Sequence, residues 1–210
     1  MRFKLIVFLL IFQITSSYAQ GYKEIYFIGV PDLEILVFDF SLEAGGKITD
    51  IKRNSEKSTY DNPEIVNKLI SMLEENPVGD YDGEKIQANF TIKLINPKYE
   101  NAKLTSEDCE KLDFLREGKF VYVDPNISDL IVERKQGYQT EKSETKNLKS
   151  EIKWLSNCQY TLFNPEPVGD PGFKKSDVVD VEIIGVLANN TVIYKALLND
   201  QVYTGVMRKL

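Results

Sequence analysis

Between Ile86 and Leu94 the apolar residues Ile86, Ala88, Phe90, Ile92 and Leu94 alternate with Gln87, Asn89, Thr91 and Lys93. That two-residue period predicts a strand of a one-sided sheet. The same alternation runs from Leu33 through Phe38, Phe40 and Leu42, and then meets Ala44-Gly45-Gly46. The glycines permit positive φ, so this strand and Lys47–Arg53 are expected to form a hairpin. Asn62-Pro63-Glu64 is a helix start, with a capping side chain, proline at the first helical position and an acid near the positive end. Ile65, Val66, Leu69, Ile70, Met72 and Leu73 follow as an apolar stripe at helical spacing, ended by Asn76-Pro77. A short helix is expected from Cys109 to Arg116, stopped by Gly118.

Beyond Gly118 the pattern turns almost wholly to short strands. They are expected at Lys119–Val123, Leu130–Arg134, Tyr138–Lys142, Ser150–Trp154, Gln159–Phe163, Val178–Val186, Thr191–Leu198 and Gln201–Arg208. Asp124-Pro125, Gln136-Gly137, Asn157, Asn189-Asn190 and Asn199-Asp200 supply turns. Regular short strands of this kind predict an antiparallel meander or a small up-and-down barrel. The fold class expected is therefore α+β: a strand-strand-helix-strand domain over 20–96, a linker over 97–107, and an antiparallel β domain over 108–210. The longest interruption, Asn164–Lys175, is rich in Pro and Gly and is expected to be an exposed loop.

The N-terminus adds a compartment. Arg2 and Lys4 precede an apolar run from Leu5 to Phe12, and small Ser17 and Ala19 stand where a signal peptidase reads. Residues 1–19 are thus expected to be a cleaved secretory signal, leaving no membrane span and a secreted or periplasmic protein. The full chain carries a net charge of -6. Without Arg2 and Lys4 the balance is 24 basic against 32 acidic side chains, an excess that disfavours nucleic acid as a partner. An even pair of cysteines, Cys109 and Cys158, in an oxidising compartment favours one structural disulfide.

The chain has no histidine, which excludes His-based triads, Cys-His dyads and His-ligated metals. The spacing within Asp80-Tyr81-Asp82-Gly83-Glu84 does not fit an EF-hand loop, and no phosphate- or dinucleotide-binding glycine motif occurs. Neither a metal nor a cofactor is expected, and no catalytic residue can be nominated.

Phe38 through Gly46-Lys47-Ile48-Thr49-Asp50, the helix from Asn62 to Glu75, and Tyr81-Asp82-Gly83 with the strand to Leu94 resemble the C-terminal domain of TonB-type energy transducers. In that family the last strand is an edge that accepts an extended segment of an outer-membrane protein. The resemblance implies a partner-binding edge at Ile86, Gln87, Asn89, Thr91 and Lys93, with an outer-membrane or periplasmic protein as partner. The later constellation around Cys109, Phe120, Tyr122, Arg134, Gln139, Trp154, Cys158 and Tyr160 is similar to small secreted bacterial β-rich proteins, broadly lipocalin-like in strand order.

Two functions follow as expectations. The first is a non-catalytic interaction module of the bacterial envelope, acting by strand addition at the first domain. The second is a carrier whose barrel holds an apolar ligand against Phe120, Tyr122, Arg134, Trp154 and Tyr160. The competing reading makes the same side chains packed core, and Arg134 a cross-strand charge partner of Glu133 and Glu141.

Overall fold

The computed structural model describes residues 20–76, 81–125, 127–168 and 178–210. The expected signal peptide, residues 1–19, lies outside the described residues. The fold is mixed α+β and mostly strand, comprising a four-stranded sheet and a closed eight-stranded antiparallel barrel. Two units are distinguished: 20–25 with Glu34–Leu94, and Tyr26–Leu33 with Ile95–Leu210.

The first unit is built on β1 (Gln20–Tyr26), β2 (Leu33–Glu43), β3 (Lys47–Arg53), α1 (Pro63–Glu75) and β4 (Ile86–Ile95). β2 and β3 form the expected hairpin, with Glu43 opposite Lys47 and the turn carried by Gly45 and Gly46 at φ 76° and 72°. After Arg53 the chain continues beside β2 through hydroxyl groups. The Ser58 and Thr59 side chains accept from the backbone N–H groups of Val37 and Ile35 at 2.9 Å each. The polar stretch after β3 therefore satisfies strand donors that would otherwise lack a partner. Helix α1 starts as its sequence predicts, the Asn62 side chain accepting from the N–H groups of Glu64 and Ile65. It packs on β3 and buries Val66 and Leu73.

The sheet order is β1-β4-β2-β3. Strand β1 was not foreseen. Its Tyr22-Lys23-Glu24-Ile25-Tyr26 sets a charged residue on each face and keeps no apolar–polar alternation, so no hydrophobic face announces it.

The barrel comprises β5 (Gly118–Tyr122), β6 (Ile131–Lys135), β7 (Tyr138–Lys142), β8 (Asn147–Trp154), β9 (Gln159–Val168), β10 (Val178–Leu187), β11 (Thr191–Leu198) and β12 (Gln201–Lys209). Each strand pairs antiparallel with the next, and β12 closes on β5 through Met207↔Tyr122, Arg208↔Val121 and Lys209↔Phe120. Closure leaves the barrel no free edge. β9 runs five residues past Phe163 and pairs with the start of β8, so 164–168 of the expected loop are strand. The remainder of that loop, 169–175, lies outside the described residues.

One end of the barrel is closed by α2 (Ser106–Glu110) and a 3-10 turn at Asp113–Leu115, in place of the single helix expected there. Leu112 and Leu115 are fully buried and join Phe120, Val132, Ile152, Ile183 and Val192 in one core. The disulfide Cys109–Cys158 ties α2 to the β8–β9 turn. A second apolar cluster forms on the outer face of β10–β12. There Ile184, Ile193 and Val206, next in sequence to the inward Ile183, Val192 and Met207, pack with Ile95 and Tyr99. The stretch 97–107, expected as linker, thus includes a tyrosine that covers this outer face, and the Tyr99 hydroxyl is held by the Asp32 carboxylate at 2.7 Å. The doubly apolar runs of β10 to β12 follow from burial on both sides.

Candidate functional site

The interior of the barrel is packed at its closed end and hollow above it. Alternation fixes which side chains point inward, and the hairpin turn at Gln136-Gly137, both at positive φ, sets the register that places Arg134 opposite Gln139 and Val132 opposite Glu141.

Arg134 is 1% exposed, the largest fully buried side chain described. Its Nε donates to Gln139 Oε1 at 2.8 Å, Nη1 to the Leu115 carbonyl at 2.9 Å and Nη2 to the Tyr160 hydroxyl at 2.5 Å. The guanidinium lies 4.5 Å from the Tyr160 ring centre, 5.1 Å from that of Phe120 and 5.5 Å from that of Trp154. A buried cation survives only with its donors used and its charge compensated, and here fork geometry and ring faces supply most of that. Arg134 also fixes the Gln139 amide, since accepting at Oε1 leaves Nε2 to donate to Glu141 Oε1 at 2.7 Å. The expected cross-strand charge pairing of Arg134 with Glu133 and Glu141 holds only in part: its charge acts on the Glu141 carboxyl without direct contact, and Glu133 takes no part. Arg134 shares the inward face with Leu130 and Val132, Glu133 is on the outer face, and Glu141 is reached through Gln139.

Above this network lies a cavity of about 140 Å³. Its polar wall is Tyr122, Gln139, Glu141, Ser150, Tyr160 and Tyr194, and its apolar wall includes Leu148, Leu162, Val181, Ala196 and Met207. Tyr122 and Tyr194 stand with ring centres 6.3 Å apart and planes tilted by 51°. The Tyr194 ring lies over Gly205, where a Cβ would collide with it. This accounts for glycine inside β12: it lets a ring approach the backbone.

Burial pushes the Glu141 carboxyl above the ordinary glutamate range, against the hydrogen bonds from Gln139 and Tyr122 and the positive charges of Arg134 and Lys146. Burial likewise holds the Tyr122 and Tyr194 hydroxyls well above the usual phenol value, and Tyr160 above it despite Arg134. The three phenols are therefore neutral hydrogen-bonding groups.

The raised carboxyl has a consequence for stability. The folded state keeps the Glu141 proton to higher pH than the unfolded chain does, so between the two pKa values it binds more protons. Its contribution to stability therefore falls as pH rises from the ordinary glutamate value through the raised one. Glu141→Gln has no proton to lose, so its stability relative to the native protein is expected to improve across that window and level off above it. Urea unfolding of both proteins from about pH 4 to about pH 8, followed by the fluorescence of the single tryptophan, measures this. Parallel pH profiles would show that the carboxyl is not held protonated by the fold.

Of the expected ligand-lining residues, Tyr122 and Tyr160 face the cavity, while Phe120, Arg134 and Trp154 form the packed floor beside it. Glu141, Ser150 and Tyr194 were not nominated. Glu141 was legible from its two-residue spacing to Gln139, whereas Ser150 and Tyr194 come from strands whose angular position the sequence does not give.

The expected partner-binding edge requires correction. β4 lies between β1 and β2, so the backbone from Ile86 to Leu94 is not at the edge of the sheet. Gln87 donates to the Ser41 hydroxyl at 3.0 Å, Thr91 and Lys93 are 2% and 7% exposed, and the Lys93 ammonium sits 5.0 Å over the Tyr22 ring. Of the five expected residues Gln87 is exposed, and Ile86 and Asn89 are half-buried. An added strand would have to displace β1.

Comparison of the chain with protein-family models, with curated proteins and with solved structures gives no significant match.

Proposed function

We propose that the protein is an exported, non-catalytic binding protein whose barrel holds a small molecule in its interior. The observation that carries this reading is the hollow of about 140 Å³ within an otherwise packed closed barrel, walled by buried polar groups. A barrel of eight strands is just wide enough either to be filled by its own side chains or to hold one small ligand. Here the floor is filled and the upper part is not. The closed up-and-down barrel of the second unit and the disulfide, which suits an oxidising compartment, support a secreted or periplasmic carrier. The four-stranded unit is assigned no partner, because its regular polar-apolar strand is central in its sheet.

The size of the hollow sets the ligand class. Drug-sized sites measure about 300–1,000 Å³, whereas an apolar cavity of about 150 Å³ accepts one benzene ring. The ligand is therefore a single ring or its equivalent, and the six polar side chains of the wall require it to carry polar atoms. The test is ligand-observed NMR with a library of polar single-ring compounds, run on the native protein and on Ala196→Phe, which fills the hollow from β11. Saturable binding to the native protein that disappears in a folded Ala196→Phe is expected. Absence of binding, or binding that survives the substitution, would overturn the reading.

A further inference from the structure

We propose that the cavity selects a small cyclic organic cation, its protonated amine on the Glu141 carboxylate and its ring against Tyr122, Tyr160 and Tyr194. This deepens the reading above and rests on it. The argument begins with charge. Among the described residues, Glu141 is the only acidic or basic side chain in the cavity wall apart from the three neutral phenols, since Arg134 lies below the wall and not in it. A carboxylate offers about four acceptor positions. Gln139 Nε2 and the Tyr122 hydroxyl supply two donors, and acceptor capacity is left for a ligand.

An anionic ligand meets the opposite situation. The Arg134 donors go to Gln139, the Leu115 carbonyl and Tyr160, and its faces lie against Phe120, Trp154 and Tyr160. It has no bidentate fork to present to a carboxylate or phosphate, and Glu141 repels either one. A neutral apolar ring of the same size is accommodated sterically but leaves the remaining Glu141 acceptor positions and the Tyr160 proton unused. Because the Tyr160 oxygen already accepts from Arg134, its own O–H is directed elsewhere.

The aromatic wall completes the case. A cation is attracted by the electron-rich face of a ring within about 6 Å, most strongly where water is excluded. Tyr122 and Tyr194, tilted by 51°, form two sides of such an enclosure, and Tyr160 borders the same hollow. Burial holds the Glu141 carboxyl up and an arriving ammonium favours its ionised form, so binding is expected to release a proton as pH falls toward the raised pKa.

Three probes of matched shape separate the possibilities: benzylamine, benzyl alcohol and benzoate, titrated calorimetrically into the native protein at neutral pH. Benzylamine is expected to bind about tenfold or more tightly than benzyl alcohol, and benzoate not measurably. Glu141→Gln is expected to remove the amine's advantage while leaving benzyl alcohol affinity within about threefold. Ala196→Phe is expected to abolish binding of benzylamine and of benzyl alcohol alike. If benzyl alcohol binds as well as benzylamine, or Glu141→Gln leaves the amine's advantage intact, the cation proposal falls and the carrier reading stands. If none of the three binds, and the broader library also fails, both fall together.

Discussion

Arg134→Ala is expected to destabilise the barrel by about 3–5 kcal/mol, the characteristic cost of breaking a buried, fully hydrogen-bonded ion site from one side. The substitution strips partners from Gln139 Oε1, the Leu115 carbonyl and the Tyr160 hydroxyl at once, and each buried orphan costs about 1–3 kcal/mol where water cannot reach it. It also takes a filler from between the Phe120, Trp154 and Tyr160 rings and the positive charge that helps to hold Glu141 ionised. Unfolding followed by Trp154 fluorescence reads the barrel alone, because the chain has one tryptophan and its ring is 4.7 Å from that of Tyr160. At about 2–4 °C per kcal/mol for a chain of this size, the melting transition should fall by about 6–20 °C.

The companion variants distinguish charge from volume. Arg134→Met keeps much of the packing and removes the charge, so it should lie between the native protein and Arg134→Ala. Arg134→Met with Glu141→Gln should recover part of the loss, because it also removes a buried carboxyl that Arg134 no longer compensates. Arg134→Lys retains the charge but lacks the planar fork, and is expected to fall well below the native protein. A loss under about 1 kcal/mol for Arg134→Ala would mean that water enters and replaces the guanidinium.

How legible this was from sequence depends on which question is asked of a residue. Periodicity placed the β2–β3 hairpin, the capped helix α1, β4 and the order of the barrel strands, because each rests on local chemistry: glycines in the turn, Asn62 before Pro63, alternation in the strands. Neighbour relations were not local. The alternation of β4 tells which residues share a face, but not that β1 pairs beside it, and Thr91 and Lys93 were read as solvated although both are buried. Arg134 shows the same limit from the other direction. Its charge invited a cross-strand pairing with Glu133 as well as Glu141, yet two-residue spacing from Leu130 and Val132 already set it on the inward face, away from Glu133. Pro165 and Pro167 marked a loop where β9 continues, proline being tolerated where its missing N–H is not required. The hollow itself has no sequence signal, since it arises from the summed volumes of side chains on most of the barrel's strands.

Removing the Cys109–Cys158 disulfide is expected to cost about 4 kcal/mol, from the entropy of closing a loop of sequence separation 49. The bond matters beyond its loop because of what it anchors. Cys109 lies on α2, immediately before Leu112 and Leu115, and Leu115 supplies the carbonyl that accepts from Arg134. Releasing α2 therefore loosens the floor of the barrel and the backbone acceptor of its buried cation. Cys109→Ala with Cys158→Ala is preferred to a serine pair, because Cys158 is 5% exposed and a hydroxyl there would need a partner. Urea midpoints of this variant, of Arg134→Met and of the combination form a cycle. If the two act through Leu115, the combined loss should fall short of the sum by about 0.5–3 kcal/mol, since the second change removes a contact already weakened by the first. Strict additivity would mean instead that the disulfide acts on the unfolded chain alone and that the floor holds its place by the packing of Leu112 and Leu115.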